Sequence, residues 1–285
     1  MCVMCITDIP AGKYYANAAA TLSAARIAAL IAASNNANAK LVTIETVAET
    51  GSTNADLLAR VGTLTAPTLL AAASQTAGRG RAGRTWHTTT TSALTFSLAW
   101  KFHRPLHALA GLPLAVGVAL AETLAVFGVQ PALKWPNDVL RDGAKLVGIL
   151  IETARDKMSC ANAAWSVIGI GMNLTMPRDL QSRIGRVVAE VPELAVHDRE
   201  RLLALLLSAL SDALVEFDAQ GFAAFAARWN RLHAYAGRAV RILDNDRVVH
   251  EGIAVGVDDK GCFLMDTASG RIAVMAGDVS LRLQE

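Results

Sequence analysis

Hydrophobic and polar positions alternate along this chain with two different periods, and the switches between them mark the elements. Leu41 to Val47 alternates as a half-buried strand, and Gly51-Ser52-Thr53-Asn54 then offers hydroxyl and amide caps to a helix through Asp56, Leu57 and Leu58. Ala93 to Trp100 reads as a strand, Ala108 to Phe127 as a mostly buried helix ended by Gly128, and Pro131 to Trp135 as a short strand. Two more strands are expected at Lys145 to Glu152 and Trp165 to Leu174. The second alternates around Gly169 and Gly171, where another backbone or a ligand can come close. Asp198 to Ala219 carries a Leu-rich apolar stripe at helical spacing. Gly221 to Tyr235 is a second helix whose Phe222, Phe225 and Trp229 are expected in the core.

After Gly237 the texture changes to short strands: Ala239 to Leu243, Val248 to Val257, Cys262 to Asp266 and Arg271 to Leu283. Polar turns such as Asp244-Asn245-Asp246 and Ser269-Gly270 separate them. That spacing predicts a small barrel. Ahead of Leu41, an Ala-rich helical period over Thr21 to Ala33 ends in the breaker cluster Ser34-Asn-Asn-Ala-Asn38, which reads as an extension. The expected division is therefore residues 1–40 as a partly helical extension, 41–236 as a catalytic domain and 237–285 as the barrel. A single helix in the extension falls short of a winged helix or helix-turn-helix, which needs at least two.

The 285 residues are 53% hydrophobic and 18% charged, a composition that supports a packed core. With 27 Lys and Arg against 25 Asp and Glu, the net charge of +2 carries no global field for nucleic acid or an acidic membrane. The uncharged stretch Ala108 to Ala121 is shorter than the roughly 20 residues of a bilayer span. Tyr14 to Ala33 mimics a signal peptide, but Arg26 interrupts its apolar part. Cys2, Cys5, Cys160 and Cys262 are too scattered for a disulfide framework or a zinc site, so a reducing cytoplasm is expected.

Chemistry concentrates in two segments. In Gln75-Thr76-Ala77-Gly78-Arg79-Gly80-Arg81-Ala82-Gly83-Arg84-Thr85-Trp86, three glycines free the backbone to wrap an anion and three arginines supply fixed, bidentate charge. Alone, the same run is also a solvated basic loop. Gly78-x-x-x-x-Gly83-Arg84-Thr85 approaches a P-loop, but it has Arg for the Lys and leads into strand-like rather than helical sequence. In Lys134-Trp135-Pro136-Asn137-Asp138, the proline ends a strand and throws an amide and a carboxylate into a turn beside Lys145, which opens the next strand. A turn cap and a solvated lysine would look the same. Asn173 closes the apolar run from Gly169, and His87, His103, His107 and His233 show no metal-ligand or triad spacing.

The order of these segments, with the closing Gly277-Asp278-Val279-Ser280-Leu281-Arg282, closely resembles the biotin protein ligases over roughly Leu41 to Leu283. The resemblance implies an α+β catalytic domain similar to class II aminoacyl-tRNA synthetases, built on a mixed sheet, followed by an SH3-like barrel. It also implies a ligase that joins biotin to the α-phosphate of ATP, with Mg²⁺, and passes the biotin to a lysine of a carboxylase carrier domain. By that pattern Ser52, Thr53 and Gln75 bind the ureido ring with Asn54 adjoining, and Arg79, Arg81 and Lys145 hold the carboxylate and phosphate. Gly78 and Gly80 give the loop its mobility, Gly148, Ile149 and Leu150 wall the thiophane ring and valeryl chain, and Lys134 adds positive charge. Trp86, Asn137 and Asn173 lie towards adenosine or its phosphates, and Asp138 orients or deprotonates the acceptor lysine.

No resident metal site, specific DNA contact or membrane contact is implied, and a homodimer is expected to use strand Trp165 to Leu174. The alternatives are a lipoate or octanoate ligase or transferase of the same fold, and a non-catalytic binding module.

Overall fold

The computed structural model describes residues 22–89, 92–155, 163–177, 181–182, 187–195 and 198–284. Cys2, Cys5, Cys160 and the first part of the signal-like stretch, up to residue 21, lie outside them. Seven strands form a mixed sheet: β1 Thr43–Thr50, β2 Thr68–Gln75, β3 Ala93–Phe102, β4 Pro131–Lys134, β5 Asp138–Arg141, β6 Ala144–Arg155 and β7 Ala164–Asn173. Their order is β1-β2-β3-β7-β6-β5-β4, with β1 and β2 parallel and all other neighbours antiparallel. The long pairings of β7 with both β3 and β6 place it in the middle of the sheet, with nearly every residue buried. It therefore has no free edge, and the expectation that Trp165 to Leu174 forms a dimer edge is corrected.

β2 has no alternation in the sequence because both of its faces are covered. Thr68 to Ala73 are all buried, and an Ala-rich run buried on both sides loses the period-two signal. The strand β5 was equally silent, being only four residues between a proline turn and Asp142-Gly143.

Five α-helices matter for the site and the core. Residues 24–33 form α1 (Ala24–Ala33), capped by the Ser23 side chain, and its Ile27 and Ile31 enter the main core. Arg26 pairs with Asp198 and Glu200, while Asn36 and Asn38 both donate to Asp212, so the segment is stitched along a later helix. Helix α2 (Thr53–Arg60) starts at the buried Ser52 cap. The apolar run 106–126 is long enough by composition to cross a bilayer. Gly111, at φ +82°, breaks it into a 3₁₀ turn and α3 (Leu112–Val126), whose 15 residues reach about 22 Å, short of the roughly 30 Å hydrocarbon layer. Ten of those residues are buried, so the run is a core helix packed between sheet and helices. Helices α4 (Arg199–Gln220, capped by Asp198) and α5 (Ala223–Arg231) complete that layer, with Phe222, Phe225 and Trp229 buried as expected and Phe217 beside them.

The remaining strands are β8 Ala239–Asp244, β9 Arg247–Val257, β10 Phe263–Thr267, β11 Gly270–Val274 and β12 Val279–Leu283. They form an antiparallel sheet in the order β11-β10-β9-β8-β12. The single strand expected over Arg271 to Leu283 is two strands on opposite edges, and the crossing at 275–278 runs out towards the catalytic domain.

That small sheet is bolted to the larger domain. Asn230 of α5 accepts from Val257 N (2.8 Å) and donates to Val257 O (3.0 Å), and the Trp135 indole donates to Gly261 O (3.2 Å). His233 lies 4.8 Å from the Trp229 ring and 5.7 Å from Phe263, with both ring nitrogens buried and unpartnered. Burial lowers its pKa from 6.5 to about 4. Between those two values the unfolded chain takes up a proton that the folded chain refuses, so acidification costs stability there, on the order of 3 kcal/mol in total. Above pH 6.5 this group adds no pH dependence. In a His233→Phe variant the fall of Tm on acidification through that window is expected to shrink; an unchanged slope in thermal melts would contradict this account.

Candidate active site

The site is built where β6 and β7 meet without side chains. Gly148 and Gly171 are direct partners across the two strands, and the Trp86 ring lies on them. A Cβ on Gly171 would overlap that ring, and one on Gly148 would come within 2.9 Å of the Lys145 side chain and 3.0 Å of Trp86. Bare backbone is thus required for the indole and the lysine to share the sheet face. Lys145 Nζ sits 5.6 Å from the Trp86 ring centre, within reach of its π face.

Around this platform is a cavity of about 50 Å³ lined by Ser52, Thr53, Asn54, Gln75, Arg79, Gly80, Arg81, Trp86, Asn137, Lys145, Gly148, Ile149 and Leu150, with Thr95, Phe96, Ser97 and Gly169–Gly171 as its floor. A small-molecule site normally measures about 300 Å³ or more, so an occupant must displace Trp86 or the arginine loop. The loop turns back on itself at left-handed Ala82 (φ 51°) and Gly83 (φ 68°). Its neck is closed by Gly80 N to Arg84 O (2.7 Å) and Trp86 N to Gly78 O (2.9 Å).

One wall is a polar relay. Gln75 Oε1 accepts from Thr53 N (2.8 Å) and Thr53 Oγ1 (3.1 Å). Thr53 Oγ1 meets Ser97 Oγ at 2.7 Å, and Ser97 Oγ donates to Asn54 Oδ1 at 2.6 Å. Ser52, Thr53, Asn54 and Ser97 are all buried, so these groups are fixed donors and acceptors suited to a polar ring.

The opposite side is cationic. Lys145 Nζ pairs with Asp138 Oδ1 at 2.6 Å, Arg79 with Glu152 at 2.6 Å, and Arg81 donates to Asn137 Oδ1 at 2.9 Å and to the Gly277 carbonyl. Burial pulls the Arg81 guanidinium below its ordinary pKa, Asp138 and Asp278 oppose that shift, and the group stays cationic. Asn137 is itself held, donating to Ile149 O at 2.7 Å while its carbonyl accepts from Ile149 N at 3.1 Å.

Several expected residues stand elsewhere. Gly78 and Lys134 do not line the cavity; Gly78 is pressed against the Trp86 carbonyl, and Lys134 lies across the β4–β5 hairpin from Asp138. Asn173 also lies outside the lining, and its amide donates to the backbone carbonyls of Lys145 (3.3 Å) and Ala189 (3.1 Å), which makes it a brace for the β6 start. Residues that sequence reading passed over are Ser97 and Glu152 and the barrel's Gly277 and Asp278. Ser97 had a faint signal, a hydroxyl two residues beyond Thr95 in a largely apolar strand. Gly277 and Asp278 had none beyond their motif, because only the fold carries them across to Arg81.

Residues 46–173 match the model of the biotin/lipoate A/B protein ligase family, and 235–282 match the biotin protein ligase C-terminal domain. The chain is 34% identical over 236 residues to the bifunctional ligase/repressor BirA of Escherichia coli, covering 82% of this chain and 72% of that protein. It is 35% identical to the biotin–[acetyl-CoA-carboxylase] ligase of Mycobacterium tuberculosis, covering 83% and 88%. The chain belongs to the biotin protein ligases. A solved structure of the Aquifex aeolicus biotin protein ligase with biotin and ATP superposes with a TM-score of 0.70 at 28% identity, over 86% of this chain and all of that one. The α+β architecture with its mixed sheet and C-terminal antiparallel sheet is thus that of the biotin protein ligases.

For a biotin protein ligase built this way, the glycine platform sets where the indole rests. Gly171→Ala is expected to lift Trp86 off the sheet at a cost of about 1–3 kcal/mol of overpacking. The other four tryptophans are at most 6% exposed, so acrylamide quenching of intrinsic fluorescence reports on Trp86 and should rise. Unchanged quenching would mean that the ring does not depend on the bare strand.

Proposed function

We propose that this chain activates biotin with ATP and transfers it to one lysine of a biotin carboxyl carrier domain of a biotin-dependent carboxylase. The observation that carries this reading is the meeting of three cations, Arg79, Arg81 and Lys145, around a cavity whose other wall is the fixed Gln75–Thr53–Ser97–Asn54 relay, with Ser52 beside it. The relay suits the ureido ring of biotin. Ile149 and Leu150 offer apolar surface to the remainder of the ligand, and Gly148 lets it lie against the strand.

In the first step the biotin carboxylate attacks the α-phosphorus of ATP, forming the acyl phosphate bond and releasing pyrophosphate. Both reactants are anions, so fixed cations stabilise their approach and the charge that builds on phosphorus. Lys145 is our choice for the cation nearest the reacting oxygens, with Arg79 and Arg81 on the carboxylate and phosphate. Trp86 and Asn137 face the adenylate. ATP enters as its Mg²⁺ complex, the ion being carried by the substrate's phosphates.

In the second step the acceptor amine attacks the acyl carbon and AMP leaves. The amine must lose a proton despite a free pKa of about 10.4. Asp138 is our choice for that work: drawing Lys145 towards the phosphate would free the carboxylate that it now pairs. The glycine-rich loop, closed over the adenylate, keeps water from hydrolysing it.

Cytoplasmic ATP and carboxylase set the compartment of this reading. With a net charge of +2 the chain carries no global positive field, and we expect no specific DNA binding. A gel-shift titration that found nanomolar, sequence-specific binding would overturn that expectation.

Biotin-dependent exchange of pyrophosphate into ATP tests the activity directly, and lipoate-dependent exchange would favour the alternative acyl substrate. Lys145→Ala is expected to lower the exchange rate by about 10²–10³-fold with the fold intact. Arg81→Gly is expected to let activated biotin escape and label lysines of unrelated proteins; labelling confined to the carrier lysine would refute the retention role.

A further inference from the structure

Glu152 belongs to none of the roles above, yet it touches both sides of the site. It lies on β6 with its side chain 19% exposed. One carboxylate oxygen accepts from Asn54 Nδ2 (3.0 Å), and the other accepts from Arg79 Nη2 (2.6 Å). Asn54 cannot drift: it is buried, its carbonyl accepts from Ser97, and its amide group occupies the space a Cβ on Gly169 would need. Arg79, by contrast, is exposed and sits on the glycine-rich loop that turns at Ala82 and Gly83. One end of the Glu152 bridge is anchored in the buried floor, and the other holds an exposed loop cation.

We propose that Glu152 is a positioning residue that couples the pocket floor to the arginine loop. Its carboxylate holds one edge of the Arg79 fork and leaves the remaining donors for an incoming carboxylate. The loop is thereby registered against the same buried network that receives the ureido ring, so filling the floor and docking the loop become one event. This inference rests on the biotin-ligase reading, and its test separates the two.

Trypsin cleaves after arginine, and Arg79, Arg81 and Arg84 make the loop its own reporter. With the whole protein, saturating biotin is expected to slow cleavage within the loop. In Glu152→Gln, which keeps the size and an acceptor for Asn54 but loses the charge, cleavage should proceed as fast with biotin as without. KM for biotin in pyrophosphate exchange should rise about tenfold, the effect of losing one charge-assisted hydrogen bond, with kcat within about threefold. Glu152→Asp keeps the charge on an arm too short to reach both partners, so it should lose the protection too, and it serves if the glutamine variant does not fold. Full protection and a wild-type KM in either variant would overturn the proposal, as would a loss that only follows a lowered Tm. Absence of biotin-dependent exchange in the unaltered chain would instead sink the ligase reading itself.

Discussion

Holding several cations close together in a folded chain, ready for anions that have not yet arrived, is the constraint around which the rest of this structure is arranged. Unpaired, Arg79, Arg81 and Lys145 would repel one another and pull the loop away from the sheet. Each is met by a different acceptor: Glu152 for Arg79, Asn137 and the Gly277 carbonyl for Arg81, and Asp138 for Lys145. Two of those acceptors are carboxylates: Glu152 takes one edge of the Arg79 fork and leaves its other donors free, while the Lys145–Asp138 pair is exchangeable when a substrate anion competes for the ammonium. The third is neutral, which leaves the Arg81 charge available and accounts for the depressed pKa of a guanidinium buried without a direct counter-ion.

The sheet serves this arrangement through its glycines. Gly148 and Gly171 face each other near one end of the β6–β7 ladder and carry Trp86, while Gly169 gives its space to Asn54. The two functional walls, polar and cationic, approach each other only because this strip of sheet has no side chains. The cost of glycine in a strand is offset by the buried neighbours of β7, which is covered on both faces.

The C-terminal sheet is more than an appendage. Asn230, Trp135 and His233 dock it against α5 and β4, and the crossing between β11 and β12 then delivers Gly277 to the arginine loop. Arg81 therefore touches the catalytic turn and the small sheet together, which ties the loop's resting position to both parts of the chain.

Much of this was legible in the amino-acid order. The alternation in Ala93 to Trp100, the long apolar stripe after Asp198, the proline turn before Asn137 and the Gly-Arg-Gly-Arg run each follow from local propensity, so neighbouring residues suffice to read them. β2 was silent because burial on both faces erases alternation, and Arg271 to Leu283 hid a crossing because turn and strand there share one polar texture. The helix of residues 24–33 was legible as a helix, but its place in the core was not, since Ile27 and Ile31 find their partners on α4 far along the chain. By itself the sequence determined which groups can bear charge, bend or cap. Only the tertiary structure decided that Lys145 meets Asp138, that Glu152 joins Asn54 to Arg79, and that Asn173 braces backbone instead of lining the cavity. Those pairings depend on through-space contact between segments up to about a hundred residues apart, and no local pattern encodes them.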